Sequence, residues 1–280
     1  MVVSTADSRA TIAAVRWRPP RAGAQILTLT ARSVRNMLSN PKLLILGLLQ
    51  PLIMLTIFSQ VFVSVSSSRS FPQGVTYISY LLPAILVMTG IGAAMHSGIG
   101  LITEMRGGII LRLRSLPVEL MAILIARSLA DLVRAAIHLA LVLVASALLF
   151  GFRPPGGVTG TLAAVLVALV VHWSMIWVFL ALAARVRNVQ TLQAGGYLVM
   201  MPLMFASSAY VPRASLPGWL GAVATANPLT YAVDASRHLV LGMPVHGRAW
   251  LTVGLSLAII ALASVAALRA FRKPLGPGIE

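Results

Sequence analysis

Carboxylate side chains are scarce in this chain of 280 residues, and none of them lies near the middle of a long apolar run. Proton relays inside a bilayer need titratable groups at depth. Asp131 follows Arg127 by four residues and precedes Arg134 by three, so helical spacing predicts a local cluster of ion pairs, with a proton relay as the alternative. The six acids are Asp7, Glu104, Glu119, Asp131, Asp234 and Glu280.

Histidine, aromatic and thioether side chains accompany one another in two of the apolar runs. His172 and Trp173 stand in one run, and Met201 and Phe205 stand in the next. Such side chains offer a soft, polarizable surface to an apolar or amphipathic molecule, so these four residues are predicted to line a substrate path. Ordinary helix packing is the alternative. In that interpretation His172 is a neutral, hydrogen-bonded interior residue, since no carboxylate is placed to partner it.

Motifs for catalysis are missing from the sequence. There is no G-x-x-x-x-G-K-[ST] phosphate-binding loop, and the only lysines, Lys42 and Lys273, lie in other contexts. No H-E-x-x-H pair or clustered aspartate motif is present to hold a metal ion, and the chain has no cysteine. We therefore expect no enzyme, no metal and no cofactor bound by this chain, and a source of energy outside it.

The composition is typical of a membrane protein. Hydrophobic residues make up 58% of the chain and charged residues 10%, with a mean hydropathy of +0.90, against about 25% charged residues in soluble domains. The net charge of +16 does not indicate nucleic acid as a partner, because the basic residues separate apolar runs instead of forming a polar surface. Membrane topology and anionic lipid headgroups explain them better.

Six apolar segments are long enough to be transmembrane helices: residues 43–65, 75–102, 129–150, 158–184, 189–210 and 250–268. Six spans place both termini on the same side of the membrane. Most lysines and arginines fall in the N-terminal tail, in the connections after the second and fourth segments and in the C-terminus. The six segments predict an all-α integral membrane protein, and the positive-inside rule places both of its termini in the cytoplasm.

A basic amphipathic helix is predicted ahead of the first segment, over residues 25–40. Apolar residues such as Leu27 recur on one side, and Arg32 and Arg35 lie on the other. Such a helix is expected on the inner membrane surface, either as a lipid anchor or as a docking element. Residues 1–24 lack the apolar core of a secretory signal and are expected to form a cytoplasmic tail.

The connection after the second segment, residues 103–118, is predicted to form a stiff elbow. Gly107 and Gly108 allow a bend, a short helix follows, and Pro117 ends it. Its charged side chains are expected to contact a soluble partner that transmits force, with a loop that only sets topology as the alternative. These side chains are Glu104, Arg106, Arg112 and Arg114.

The segment at residues 211–242 is too apolar for an ordinary external loop, and prolines divide it into pieces too short to span a membrane. We expect two short helices that dip into the outer leaflet, with Trp219 and Tyr231 at the level of the headgroups. Non-helical backbone at that depth must be shielded by protein or by a wet cavity. This segment is therefore a candidate gate.

Five stretches between residues 103 and 242 resemble the permease subunits of the daunorubicin-resistance type within the type 2 ABC exporter family, in a consistent order. They read RLRSLPVE, ARSLADLVR, GFRPPGG, PLMFASSAYVPRASLPGWL and ANPLTYAVDASRHLVLG. Relatives commonly carry acidic residues where this elbow has Gly107 and Leu111. The resemblance therefore implies the docking mode of the family, with different salt bridges.

The resemblance implies a permease domain of six spans over residues 41–280, which works as a dimer with a second permease copy or a paralogue. It also implies re-entrant external helices at 211–242 and two separate ABC ATPase subunits, which bind ATP and Mg. In this family the elbow, here residues 104–117, sits in a cleft of the ATPase. The amphipathic helix before the first span, here residues 25–40, touches the ATPase as well.

We therefore predict the permease subunit of an ATP-driven exporter in the cytoplasmic membrane of a prokaryote, which moves a small hydrophobic or amphipathic drug, antibiotic or lipid outward. The alternatives are a polysaccharide or glycolipid exporter permease and an ion-coupled secondary transporter. A polysaccharide channel would need more aromatic residues than the 6% present. Ion coupling would need acidic residues near the middle of the spans, and none is placed there.

Overall fold

All regular structure in the described part of the chain is helical, with no β-strand there. The computed structural model describes residues 22–39, 41–62, 71, 75–107, 120–245 and 247–272. The helices are α1 (Ala22–Leu38), α2 (Pro41–Val61), α3 (Tyr77–Arg106), α4 (Leu120–Phe150), α5 (Gly157–Val186), α6 (Val189–Phe205), α7 (Gly218–Ala226), α8 (Pro228–Leu241) and α9 (Arg248–Arg272), with a 3-10 turn at Arg213–Ser215.

Four of the described helices, α3, α4, α5 and α9, are long and apolar enough to cross a membrane. α2 is a shorter apolar helix, and α6 has 17 residues. The prediction of an all-helical protein with several membrane-spanning helices is thereby confirmed. The assignment of six spans stays a prediction.

α3 lies at the centre of the bundle, and most of its residues are buried. It carries no charged residue before Glu104, and a helix that is apolar all round is stable when it is buried. α5 packs along both α3 and α9, and α4 and α8 cover further parts of it. The surrounding helices α2, α4, α6 and α9 leave large apolar side chains on their outer faces, as expected where lipid tails or another subunit cover them.

The ends of several helices differ from the ends of the apolar segments. α3 continues to Arg106, and α4 begins at Leu120 rather than near 129, because charged residues at these ends are held in ion pairs. α6 instead ends at Phe205, before the end of its segment at 210. Side chains of other elements hold the backbone that follows, so it does not need helical hydrogen bonds.

α1 lies against α4 with part of its surface. Thr30 donates from Oγ1 to the Ala126 carbonyl oxygen of α4 at 3.2 Å, whereas Leu27 is 72% exposed. Arg32 and Arg35 are exposed as well. α1 therefore presents both an apolar edge and a basic edge, which suits a helix at a membrane surface.

Two glycines let the start of α5 approach the end of α8 closely. A Cβ atom on Gly156 would lie 2.3 Å from the Leu239 carbonyl oxygen, and one on Gly160 would lie at the same distance from that oxygen. The Gly156 amide donates to the Val240 carbonyl oxygen at 2.8 Å. Small residues four positions apart commonly allow such backbone contact in membrane proteins. Gly156 and Gly160 therefore let α8 pack closely against the bundle.

Candidate functional site

Two clusters of polar and charged side chains lie towards opposite ends of α3, and the helical rise separates Tyr80 of one from Glu104 of the other by roughly 36 Å. We call the first the Arg127 cluster; it contains Ser97, Glu104, Arg127, Asp131 and Arg134, on α3 and α4. We call the second the Arg237 cluster; it contains Tyr80, Ser208, Arg213, Asp234 and Arg237, on α3, on α8 and in the connection after α6.

The Arg127 cluster ties α3 to α4 by an ion pair and a hydrogen bond. Arg127 Nη1 lies 2.6 Å from Glu104 Oε2, and Arg127 Nε lies 4.0 Å from Asp131 Oδ2. Asp131 also accepts a hydrogen bond from Ser97 Oγ, and its Oδ1 lies 3.5 Å from Arg134 Nη1. The predicted pairing of Asp131 with the arginines before and after it is confirmed.

Three consecutive residues of α4 contact three different helices at this level. The Ala126 carbonyl oxygen accepts from Thr30 Oγ1 of α1 at 3.2 Å. Arg127 pairs with α3, and Ser128 Oγ accepts from Trp173 Nε1 of α5 at 3.3 Å. One turn of α4 therefore joins α1, α3 and α5.

A further polar contact joins the ends of α3, α5 and α9. Arg106 donates from Nη2 to the Arg187 carbonyl oxygen at 3.3 Å, and Arg187 donates from Nη2 to the Ala270 carbonyl oxygen at 3.2 Å. Arg187 follows α5 in the left-handed region, with a φ of 56°, where glycine is the usual residue. Its contact with α9 gives a physical reason for an arginine at this position.

Arg237 is the buried centre of the Arg237 cluster, with 5% of its surface exposed. Its guanidinium donates to the carbonyl oxygens of Tyr80 at 3.0 Å, Ser208 at 2.8 Å and Ala209 at 3.2 Å. The group also lies 3.6 Å from the centre of the Tyr80 ring, a favourable cation–π arrangement. Burial lowers the pKa of Arg237, and the Asp234 carboxylate counteracts that shift.

Asp234 completes the Arg237 cluster from α8. Its Oδ1 accepts from Ser208 Oγ at 2.6 Å and from Arg237 Nη1 at 3.2 Å, and its Oδ2 accepts from Arg213 Nη2. A buried charge is tolerated when it is paired and hydrogen-bonded. The two arginines and the serine supply those partners.

The backbone of residues 206–211 is not helical, and side chains of neighbouring elements hold it. Asn227 Nδ2 donates to the Ala206 carbonyl oxygen at 2.7 Å, and Tyr77 Oη donates to the Tyr210 carbonyl oxygen at 2.9 Å. Buried backbone groups without helical hydrogen bonds need such partners. These contacts anchor the segment to α3 and to the junction between α7 and α8.

Both clusters hold parts of the fold together through ion pairs and hydrogen bonds. Their carboxylates are bound by arginines and serines, and their guanidinium groups by carboxylates and backbone oxygens. Within the described ranges, no group of three His, Asp or Glu side chains is placed to hold a metal ion. The arrangement fixes helices and backbone segments relative to one another.

The residues predicted for a substrate path fall in two environments. His172 is 2% exposed, and its Nε2 lies 2.9 Å from the Leu86 carbonyl oxygen of α3, which agrees with the interior, hydrogen-bonded interpretation. Trp173 is half-buried beside α4. Met201 and Phe205 are 52% and 56% exposed on α6. The four residues therefore divide between the inside of the bundle and its outer face.

The two aromatic residues predicted at the headgroup level also differ. Trp219 on α7 is 71% exposed. Tyr231 on α8 donates its hydroxyl to the Thr225 carbonyl oxygen of α7 at 2.7 Å, and the guanidinium carbon of Arg213 lies 6.0 Å from the centre of its ring. Trp219 is therefore exposed, whereas Tyr231 ties α8 to α7.

Three of the residues predicted to dock on a partner are exposed: Arg32 and Arg35 on α1, and Arg106 at the end of α3. Glu104 is instead paired with Arg127. Arg112 and Arg114, with the short helix predicted at 109–116, lie outside the described residues.

Arg237 and Asn227 are not among the residues that the sequence predicts for a functional site. Arg237 follows Asp234 by three residues, the same spacing that links Arg134 to Asp131, and this spacing is a usable signal. Asn227 precedes a proline at a helix start, which predicts a cap. No pattern in the sequence indicates that its amide also reaches back to the end of α6.

Sequence comparisons define the class of protein. The sequence model of the family described as ABC-2 type transporter matches residues 24–241. This chain belongs to that family, as predicted from the quoted stretches.

Individual relatives carry transport names. The chain is 31% identical over 264 residues to the daunorubicin resistance ABC transporter permease protein DrrB1 of Streptomyces coeruleorubidus, which covers 94% of this chain and 92% of that protein. It is 30% identical over 171 residues, 59% of each chain, to the probable doxorubicin resistance ABC transporter permease protein DrrC of Mycobacterium tuberculosis. A putative transport permease, ycf38 of Pyropia yezoensis, is 28% identical over 77% of this chain and 73% of that protein.

These similarities confirm the predicted function class: the chain is a permease subunit of an ABC exporter. The homologues are transport subunits and not enzymes themselves. Membership in the family implies ABC ATPase subunits as partners, and those subunits bind the nucleotide.

Proposed function

We propose that this permease moves a hydrophobic or amphipathic molecule, of the drug, antibiotic or lipid type, outward across the cytoplasmic membrane of a prokaryote. The observation that carries the proposal is the similarity to a permease named for daunorubicin resistance over 94% of the chain. The doxorubicin-resistance name of the DrrC relative supports the same class of cargo.

In the proposed topology α2, α3, α4, α5, α6 and α9 are the six spans of a permease domain at 41–280, and both termini are cytoplasmic. The buried, non-helical residues 206–210 extend the short α6. α7 and α8 belong to the external re-entrant segment at 211–242. α8 buries most of its residues against α3, α5 and α9, which supports a re-entrant position over a surface loop.

The proposed docking surface for the ATPase subunits consists of the connection at 103–118 and the basic side of α1. Exposed Arg32 and Arg35 on α1 and Arg106 at the end of α3 support this surface, since exposed cationic side chains can be matched by opposite charges on a partner. Sequence alone assigns Arg112 and Arg114 to the same surface. ATP and Mg are bound by the partner.

The outer face of α6 is the proposed wall of the substrate path, opposite a second permease copy or a paralogue. Of the residues in α6, only Leu192 and Gly196 are buried. Leu198 is 76% exposed, and Met201 and Phe205 share this exposed side of the bundle. Thioether and aromatic groups on such a face suit an apolar or amphipathic cargo.

Vesicle transport tests the proposal, with daunorubicin as the probe. In inverted vesicles that contain the permease and its ATPase subunit, we expect daunorubicin uptake that requires ATP and persists when a proton uncoupler is added. An ATPase variant that binds but does not hydrolyse ATP is the control and should abolish uptake. Uptake that the uncoupler abolishes, and that needs no ATPase, would contradict the proposal and favour an ion-coupled transporter.

A further inference from the structure

In the Arg127 cluster, side chains from one face of α4 contact one face of α3. Gly100 and Glu104 lie four residues apart on α3, as Arg127 and Asp131 do on α4, so each pair shares a helix face. A Cβ atom on Gly100 would lie 2.2 Å from Arg127 Nη2. The Arg127 guanidinium therefore lies on the α3 backbone, where glycine leaves room for it, between the two carboxylates.

Among the described residues, the pair of Glu104 and Arg127 is the ion pair that joins these two helices, and the hydrogen bond from Ser97 to Asp131 also joins them. The other ion pairs of the cluster join Asp131 to arginines of its own helix, α4. Glu104 lies two residues before the end of α3, and Arg127 lies within the first turns of α4. The link therefore joins the two helix ends that enter and leave the proposed ATPase-docking connection.

This ion pair is not placed to contribute much to folding. The Glu104 side chain is 42% exposed, and water screens an ion pair in such a position. α3 and α4 also both pack against α5, through apolar surface that does not involve the pair. An ionic link with one exposed partner, at the ends of two helices, suits a role in transmission.

We propose that Glu104 and Arg127 are a positioning pair, which makes the ends of α3 and α4 move together when the ATPase displaces the connection between them. The inference rests on the proposed function and refines it, because Glu104 then acts on α4 rather than on the ATPase. Ala126 and Ser128, which contact α1 and α5, pass the same movement to those helices.

Charge-neutral variants of the purified permease–ATPase complex in liposomes test this pair, with daunorubicin as the probe. We expect E104Q to lower the daunorubicin moved per ATP hydrolysed at least about fivefold, near the low end of coupling between sites. The amount of bound ATPase should stay at the wild-type level. R127Q should have at least the same effect, since it also removes the contact with Asp131. The double variant should be no worse than R127Q, because R127Q already removes the interaction that E104Q breaks.

R134Q is the matched control. Arg134 loses the same charge from the same helix and contacts the same aspartate, but its ion pair stays within α4. We expect R134Q to keep the wild-type ratio of transport to hydrolysis.

Spin labels give a readout that needs no cargo. The chain has no cysteine, so cysteines introduced at Thr103 on α3 and Val133 on α4, both exposed, are the only labelled positions. We expect the distance distribution between the labels to be the same without nucleotide and with vanadate-trapped nucleotide. In the E104Q background we expect it to broaden in the trapped state.

The outcomes separate this inference from the proposed function. If the wild-type permease neither binds nor stimulates the ATPase, both are wrong. If the ATPase binds and hydrolyses ATP, but E104Q keeps the wild-type transport ratio and label distances, the positioning role is wrong and the proposed function stands. A large loss of thermal stability in E104Q, absent from R134Q, would assign the pair a structural role and overturn the inference.

Discussion

The Arg237 and Arg127 clusters use the same kinds of side chain at the two ends of α3, but in opposite settings. Arg237 is 5% exposed and donates to backbone oxygens of a segment that is not helical. The Arg127 side chain is 17% exposed and that of its partner Glu104 is 42% exposed, and both residues belong to intact helices. The first cluster supplies hydrogen bonds that the backbone lacks, whereas the second joins helices that are already complete. Deep burial next to a non-helical backbone, rather than the number of charges, therefore separates the anchor at Arg237 from the adjustable link at Glu104.

Removal of the Arg237 guanidinium should have the largest effect on stability. Arg237→Met leaves Asp234 and several backbone oxygens short of partners in a buried site, and breaking a buried ion pair costs about 3–5 kcal/mol. Thermal unfolding of the purified permease in detergent measures the loss. Arg213→Met is the control, since Arg213 pairs with the same aspartate but is more exposed. Equal stability of the two variants would contradict the claim that the buried arginine stabilises the cluster more than the more exposed one.

Asn227→Ala should have the next largest effect. Its amide donates to the Leu203 and Ala206 carbonyl oxygens, at 2.6 and 2.7 Å, and buried acceptors left without a donor cost about 2–3 kcal/mol together. The same unfolding assay applies. Asn188→Ala is the matched variant, because Asn188 caps α6 through the Thr191 amide and should cost about 1 kcal/mol. A smaller loss for Asn227 than for Asn188 would show that residues 206–211 are not held as described.

Gly160→Ala tests whether α8 is fixed against the bundle. Its Cβ atom would lie 2.3 Å from the Leu239 carbonyl oxygen, so α5 and α8 must separate, at a cost of about 1–2 kcal/mol. Gly195→Ala on α6 meets no atom within 4 Å and should be neutral or slightly stabilising. Equal effects of the two substitutions in the unfolding assay would mean that α8 adjusts freely.

The features that the sequence predicts are those determined by residues close together in the chain. Long apolar runs define the membrane helices, and the spacing of Asp131 between two arginines defines its ion pairs. Glu104 pairs with a residue of the next helix, and its sequence neighbours do not indicate this pairing. From the sequence, Glu104 near the elbow is equally consistent with docking on another protein. For the same reason the sequence alone does not tell that His172 faces the interior while Met201 faces outward.

The long-range partners of backbone atoms are the least predictable feature. Asn227 and Arg237 bind backbone oxygens of residues more than twenty positions away. Every residue has a backbone oxygen, so the sequence does not indicate which one a side chain will bind. The stretch PLMFASSAY reads as a continuation of an apolar segment. Its helix nevertheless ends at Phe205, because tertiary contacts replace helical hydrogen bonds there.

The most direct test of the contrast between anchor and link compares E104Q with Arg213→Gln in one reconstituted permease–ATPase complex. For each variant, the daunorubicin moved per ATP hydrolysed and the unfolding temperature are measured in the same preparation. We predict that E104Q lowers the transport ratio at least about fivefold and costs less than about 1 kcal/mol of stability. Arg213→Gln should lower the unfolding temperature and keep the wild-type transport ratio. The reverse pattern, with coupling lost at Arg213 and stability lost at Glu104, would contradict the account.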